Sequence, residues 1–212
     1  MITLRSLAMG LLAAPLFASA ALAVPVPNGS FESGAVNFTT DYTLNNTNCT
    51  AAQAYATITN PQNCHGSFAS FAAYDGTNLM VVNGATAAGQ IVWASDPVAV
   101  AIGTTYDFSV WATSVYSGTP ANLQFLINGT AVGTLQLTSG TPDWTEFSYN
   151  WLADTGTANL SIIDLNTAYD GNDFAIDNIT LNEVRTPAPE PMTLALMGAG
   201  LAGLGLRRRR RV

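Results

Sequence analysis

Residues Tyr106–Thr113 read Tyr-Asp-Phe-Ser-Val-Trp-Ala-Thr, and the fold turns on that octapeptide. In extended backbone successive side chains point to opposite faces. Tyr106, Phe108 and Val110 therefore share one face, and Asp107, Ser109 and Trp111 share the other. The alternation predicts a strand with an apolar inner side and a partly open outer one. Working outward, Asn78–Asn83, Gln90–Trp93, Leu123–Asn128, Thr145–Trp151, Asn159–Asp164 and Phe174–Leu181 are further short runs of β-branched and aromatic residues. Asp75-Gly76, Asn83-Gly84, Ile102-Gly103, Asn128-Gly129, Thr141-Pro142 and Asp170-Gly171 punctuate them as turns. Asn128-Gly129 is the strongest hairpin signal, because both residues of a tight two-residue loop need positive φ. No segment before the C-terminal tail has an amphipathic helix period. One all-β domain over 24–185, an antiparallel sandwich, is expected.

The two ends of the chain differ from this middle. Arg5 opens a lightly basic stretch, Leu7–Ala18 is apolar, and Ala21-Leu22-Ala23 is a small-x-small cleavage site. Residues 1–23 thus predict a secretory signal peptide cut before Val24. At the other end Pro189-Glu190-Pro191 precedes the uncharged run Met192–Leu206 and then Arg207, Arg208, Arg209, Arg210 and Arg211. As a helix the apolar run would span roughly 22 Å, short of a ~30 Å hydrocarbon core. Membrane thinning and snorkelling arginine stems would close that gap. Arginines stay on the cytoplasmic side, so everything before Pro191 is expected outside. Gly198–Gly203 has the spacing of a dinucleotide-binding loop but lacks the strand that such a loop must follow.

The order of Pro-Glu-Pro, short apolar helix and terminal basic cluster resembles the PEP-CTERM sorting signal of Gram-negative bacteria. The resemblance covers Pro189–Val212, within an expected sorting tail over 186–212. It implies tethering at the inner membrane, an exosortase-type partner that processes the tail, and release to the cell surface or extracellular matrix. Members of that family often accompany exopolysaccharide production.

Charge narrows the function further. All seven basic residues lie at Arg5, Arg185 and Arg207–Arg211, so Ser6–Val184 contains neither Lys nor Arg. Of 14 acidic residues only Glu190 lies in the tail, which leaves 13 carboxylates in the folded part behind a net charge of -7 for the whole chain. Phosphate backbones would be repelled, which excludes nucleic acid as a partner. Buried carboxylates here must rely on hydrogen bonds, protons or a metal.

Val26-Pro27-Asn28-Gly29-Ser30-Phe31-Glu32, Tyr74–Leu79, Gly103–Tyr106, Trp144-Thr145 and Phe174–Leu181 together resemble galactose-binding-like jelly rolls, carbohydrate-binding modules among them. The resemblance covers nearly the whole domain and implies the fold, not a ligand. It also implies a structural calcium near the first and last strands, carried by Glu32 and Asp177 with Asp75 as a third carboxylate. Calcium takes six to eight oxygens, backbone carbonyls included. The competing expectation is that these acids bind strand-end amides. The acidic stretch Asp164–Asp173 is not an EF-hand, since Tyr169 stands where that loop needs glycine.

In this fold Trp111, Gln124 and Trp93 are expected to form a concave sugar platform; the alternative is that the tryptophans pack the core. Tyr55, Tyr116 and Tyr169 fall in expected loops and could also reach a ligand. Cys49 and Cys64 are the only cysteines, and export predicts a disulfide between them. A thiol nucleophile served by neighbouring His65 is the competing idea. With the one histidine set in the cysteine loop no Ser-His-Asp arrangement can be argued, and a non-catalytic protein is expected. The functional expectation is an exported module that binds carbohydrate. The alternatives are a structural exopolysaccharide or biofilm matrix protein, or a secreted hydrolase acting through paired carboxylates.

Overall fold

The computed structural model describes residues 23–184 and, near the C-terminus, positions 197, 198, 200 and 201, which are helical. The expected leader, Ala23 apart, and the rest of the expected sorting tail lie outside the described residues. Among the described residues no helix is long and apolar enough to cross a membrane.

Two antiparallel sheets face each other. The larger has seven strands: β1 (Ala23–Val24), β3 (Thr43–Leu44), β4 (Ala54–Ile58), β5 (Leu79–Asn83), β8 (Thr105–Ser114), β11 (Thr145–Leu152) and β14 (Phe174–Glu183). Its order is β11-β8-β14-β5-β4-β3, with β1 paired to the far end of β14 through Ala23↔Asn182 and Val24↔Leu181. The smaller runs β10-β9-β13-β6-β2, where β2 is Phe38–Thr39, β6 Ile91–Ser95, β9 Asn122–Ile127, β10 Thr130–Gln136 and β13 Leu160–Asp164. A separate pair joins β7 (Val98–Ala99) to β12 (Thr157–Ala158). Among the described residues only β3 and β4 pair in parallel.

The seven expected strands all form, each within two residues of the expected bounds. Thr130 pairs with Ile127 across Asn128-Gly129, whose φ angles of 51° and 76° are the left-handed pair that a tight hairpin needs. Tyr106, Phe108 and Val110 are buried between the sheets with Leu123, Phe125, Ile127, Phe174 and Ile176.

A second apolar layer was not anticipated. Leu79 and Val81 of β5, Ala54 and Ala56 of β4 and Ala175 of β14 face away from the inter-sheet core and pack on Cys49, Cys64, Phe68 and Val115. Cys49 before β4 and the stretch from Cys64 to Ala73 after it therefore cap the outer face of the larger sheet. This explains why β5 reads Leu-Met-Val-Val without alternation: both of its faces are covered.

Candidate functional site

Cys49 and Cys64 form the expected disulfide, with Cα atoms 5.1 Å apart. Around it the Cys49 N–H donates to the Cys64 carbonyl at 2.8 Å, and Asn83 Nδ2 donates to the Cys49 carbonyl at 2.8 Å. Asn60 starts a 3-10 turn at Pro61–Asn63 by accepting the Gln62 N–H. His65 then stacks on Phe68 at 4.4 Å between centroids, and its Nδ1 accepts the Ser67 N–H at 3.2 Å. That bond engages the Nδ1 lone pair and fixes the ring's orientation against Phe68. A nucleophilic role for either cysteine is excluded by the disulfide.

Opposite this wall stands the connection from β13 to β14, clipped to the connection from β8 to β9. Asn166 Nδ2 donates to the carbonyls of Thr119 and Pro120 at 3.0 and 2.9 Å, and the Thr119 hydroxyl donates to the Asp170 carbonyl. Gly171, with φ of 97°, lies so close that a Cβ there would sit 2.2 Å from the Thr119 nitrogen. Only glycine permits this approach. The clip sets Tyr116 on one connection beside Tyr169 and Asp170 on the other.

Between wall and clip lies a cleft of about 190 Å³, lined by Thr50, His65, Asn83, Tyr116, Tyr169, Asp170 and Asp173 among others. Tyr169 is 84% exposed, whereas Asp173 is only 8% exposed. Asp173 Oδ1 accepts the Gly84 N–H at 3.2 Å. Burial is the main cause that lifts its carboxyl to about 6; the Gly84 amide opposes that rise and the Asp170 charge adds to it. Behind Asp173 is a further polar layer. Asn172 Nδ2 donates to the carbonyls of Ala85 and Asn166 at 3.1 and 2.9 Å, while Asn172 Oδ1 and Asp164 Oδ2 are buried without partners among the described residues.

The expected platform does not assemble. Trp111 lies on the outer face of the larger sheet, where Tyr74 stacks on it at 4.0 Å and Trp144 meets Tyr74 edge-on. Gln124 lies on the outer face of the smaller sheet, since its neighbours Leu123 and Phe125 fill the core. Trp93 is fully buried between them. The register shift opposite Ile162–Ile163 leaves Val92 as an extra residue in β6, so Val92 and Trp93 both turn inward. Alternation assigns the faces of a strand but not the sheet it joins. Tyr55, expected in a loop, lies in β4 and is buried.

Glu32 and Asp177 both reach the turn at 75–78, which begins at Asp75. Glu32 Oε1 accepts the N–H groups of Thr77 and Asn78, both at 2.7 Å. Asp177 accepts the Asp75 N–H at 3.0 Å and the Asn178 N–H at 2.7 Å on its two oxygens. Asp177 is fully buried, and burial lifts its carboxyl to about 6 against these amides. Among the described residues no three His, Cys, Asp or Glu side chains meet closely enough to hold a metal alone. Glu32 and Asp177 thus bind backbone amides of the turn and strand, and among the described residues Glu32 Oε2 makes no hydrogen bond.

Comparison with known proteins follows the same division. Residues 187–210 match the PEP-CTERM protein-sorting motif, which marks the chain for export through a membrane-anchored tail. No curated protein matches the sequence. Among solved structures, the CBM22-1 xylan-binding domain of Xyn10C from Paenibacillus barcinonensis superposes with a TM-score of 0.51 at 16% identity, covering 81% of this chain and 100% of that one. The tandem CBM22-1–CBM22-2 structure from the same protein gives a TM-score of 0.49 at 16% identity; 82% of this chain is covered but only 49% of that one, about half its length. The Stig cyclase Fisc from Fischerella sp. TAU, solved with a pyrrolidinylidene-indole, gives 0.57 at 12% identity over 79% of this chain and 100% of that one. At such identities the likeness concerns the fold. The chain thus carries a PEP-CTERM sorting motif behind a jelly-roll domain of the fold seen in carbohydrate-binding modules.

Proposed function

We propose that the protein is a non-catalytic, exported surface or matrix module that binds carbohydrate in the cleft between the disulfide segment and the β13–β14 connection. The observation that carries this reading is the pairing of two tyrosines, Tyr116 and Tyr169, with amide, hydroxyl and carboxylate groups in one open cleft. Sugar rings lay their apolar faces on aromatic rings, while such polar groups take their hydroxyls. A hydrolase reading finds no comparable support, since of the two carboxylates lining the cleft Asp173 is almost wholly buried and Asp170 is exposed. The polymer is expected to be a surface polysaccharide, met where the exosortase releases the chain.

A glycan array tests the reading directly. Binding should appear on at least one glycan, and Tyr169→Ala should weaken it about tenfold or more with no change in melting temperature, because that side chain stands in solvent. An array blank for the wild-type chain would sink the proposal.

We also propose that calcium joins Glu32 and Asp177 at the turn. In support, Asp177 is a fully buried carboxylate and no Lys or Arg exists in Ser6–Val184 to balance it. Glu32 Oε2 and backbone carbonyls of the turn would supply further oxygens. Calcium should raise the melting temperature over that in excess chelator; coincident melts would count against it.

A further inference from the structure

The cleft has a charge that selects among sugars. Asp173 is nine-tenths buried, yet only its Oδ1 is engaged by an amide of the described residues, and the side chain lines the cleft. Asp170 stands on the rim beside it. The unpartnered Asp164 Oδ2 and Asn172 Oδ1 lie behind, so the polar groups under the floor present acceptors without donors. Nothing in the domain can answer them. Ser6–Val184 has no Lys or Arg, and Nδ1 of the one imidazole, His65, is turned to the Ser67 N–H. A uronic acid, or a sulfated or pyruvylated sugar, would bring a negative charge against Asp173 and Asp170 with no Lys or Arg to offset it. A neutral sugar would satisfy the tyrosines and donate hydroxyls to the carboxylates, but would leave their charge unbalanced. A protonated amine on a sugar ring completes the site: it donates up to three hydrogen bonds to carboxylates, and tyrosine faces attract cations.

We infer that the cleft is built for an amino sugar, a pyranose lying against Tyr169 and Tyr116 with its ammonium seated on the carboxylates of Asp173 and Asp170. This rests on the carbohydrate reading and adds the substrate class to it. The volume of about 190 Å³ leaves room for roughly one ring, so a single residue of a polymer is gripped at a time.

Three β-1,4-linked tetrasaccharides that differ only at C2, bearing hydroxyl, acetamide or ammonium, separate the possibilities. Calorimetry would use the full chain in mild detergent, buffered where the sugar amine is protonated. The ammonium form should bind at least about tenfold tighter than the other two, and added salt should erode the difference. Asp170→Asn should weaken the ammonium form several-fold and leave the hydroxyl form unchanged. Equal or weaker binding of the ammonium form, with the neutral forms still bound, would overturn the amino-sugar inference and leave the carbohydrate reading intact. If none of the three binds, or if Tyr169→Ala leaves all three unaffected, both fall.

Discussion

Asp164 is the residue whose charge is worst matched to its surroundings. It is 5% exposed, its Oδ1 accepts the N–H groups of Asn122 and Asn166 at 3.1 and 2.9 Å, and its Oδ2 has no partner among the described residues. Burial is the main cause that raises its carboxyl to about 6; the two amides oppose the rise and Asp173, itself at about 6, adds to it. Both carboxyls therefore hold protons more tightly folded than unfolded. Between about pH 4 and pH 6 the native state binds more protons, so stability is greatest below that window and falls as pH rises through it. Calorimetry in chelator should show a melting temperature that drops from about pH 4 to pH 7, opposite to a protein held by ion pairs. Asp164→Asn keeps the shape and removes the charge. It should gain roughly 1–2 kcal/mol near neutral pH and flatten the slope; a slope left unchanged would show that Asp164 is not its source.

At the scale of elements, the disulfide segment is the part that the fold class alone does not require. It closes a loop of sequence separation 15, which corresponds to roughly 3 kcal/mol in the loop-closure model. Replacing both Cys49 and Cys64 by serine should lower the denaturant midpoint accordingly and loosen the wall that carries Thr50 and His65. Ligand affinity should fall with it, even in conditions where the domain stays folded. Intact affinity in that variant would show that the wall does not depend on the bridge. The strands were legible because alternation and turn residues are local signals: Tyr106–Thr113 and Asn128-Gly129 behave as their patterns demand. The cleft was not legible, because it joins Thr50, Tyr116, Tyr169 and Asp173 across connections that sequence cannot place relative to one another. Tyr116 and Tyr169 were visible as loop aromatics, but nothing local distinguished them from Tyr55, which the pairing of β4 with β5 buries. The expected platform failed for the related reason that β8 and β9, neighbours in sequence, belong to different sheets.

The whole molecule has two poles, and β14 runs between them. Asp173, at the edge of the cleft, precedes its first residue, Phe174, and the path toward the sorting motif leaves after its last, Glu183. Ten residues of strand span roughly 33 Å. β1 pairs at the same far end, so both routes into the domain lie opposite the cleft. Binding should therefore be indifferent to the tail: a chain ending at Val184 should match the full chain in glycan affinity while losing delivery to the surface, measured by calorimetry and by fractionation. A changed affinity would mean that the tail reaches across the molecule. A cluster of such domains rooted in one surface would hold its mouths outward in parallel. A grip on one ring is feeble alone, but a repeating polymer engages many mouths at once, and avidity then grows with the crowding of copies.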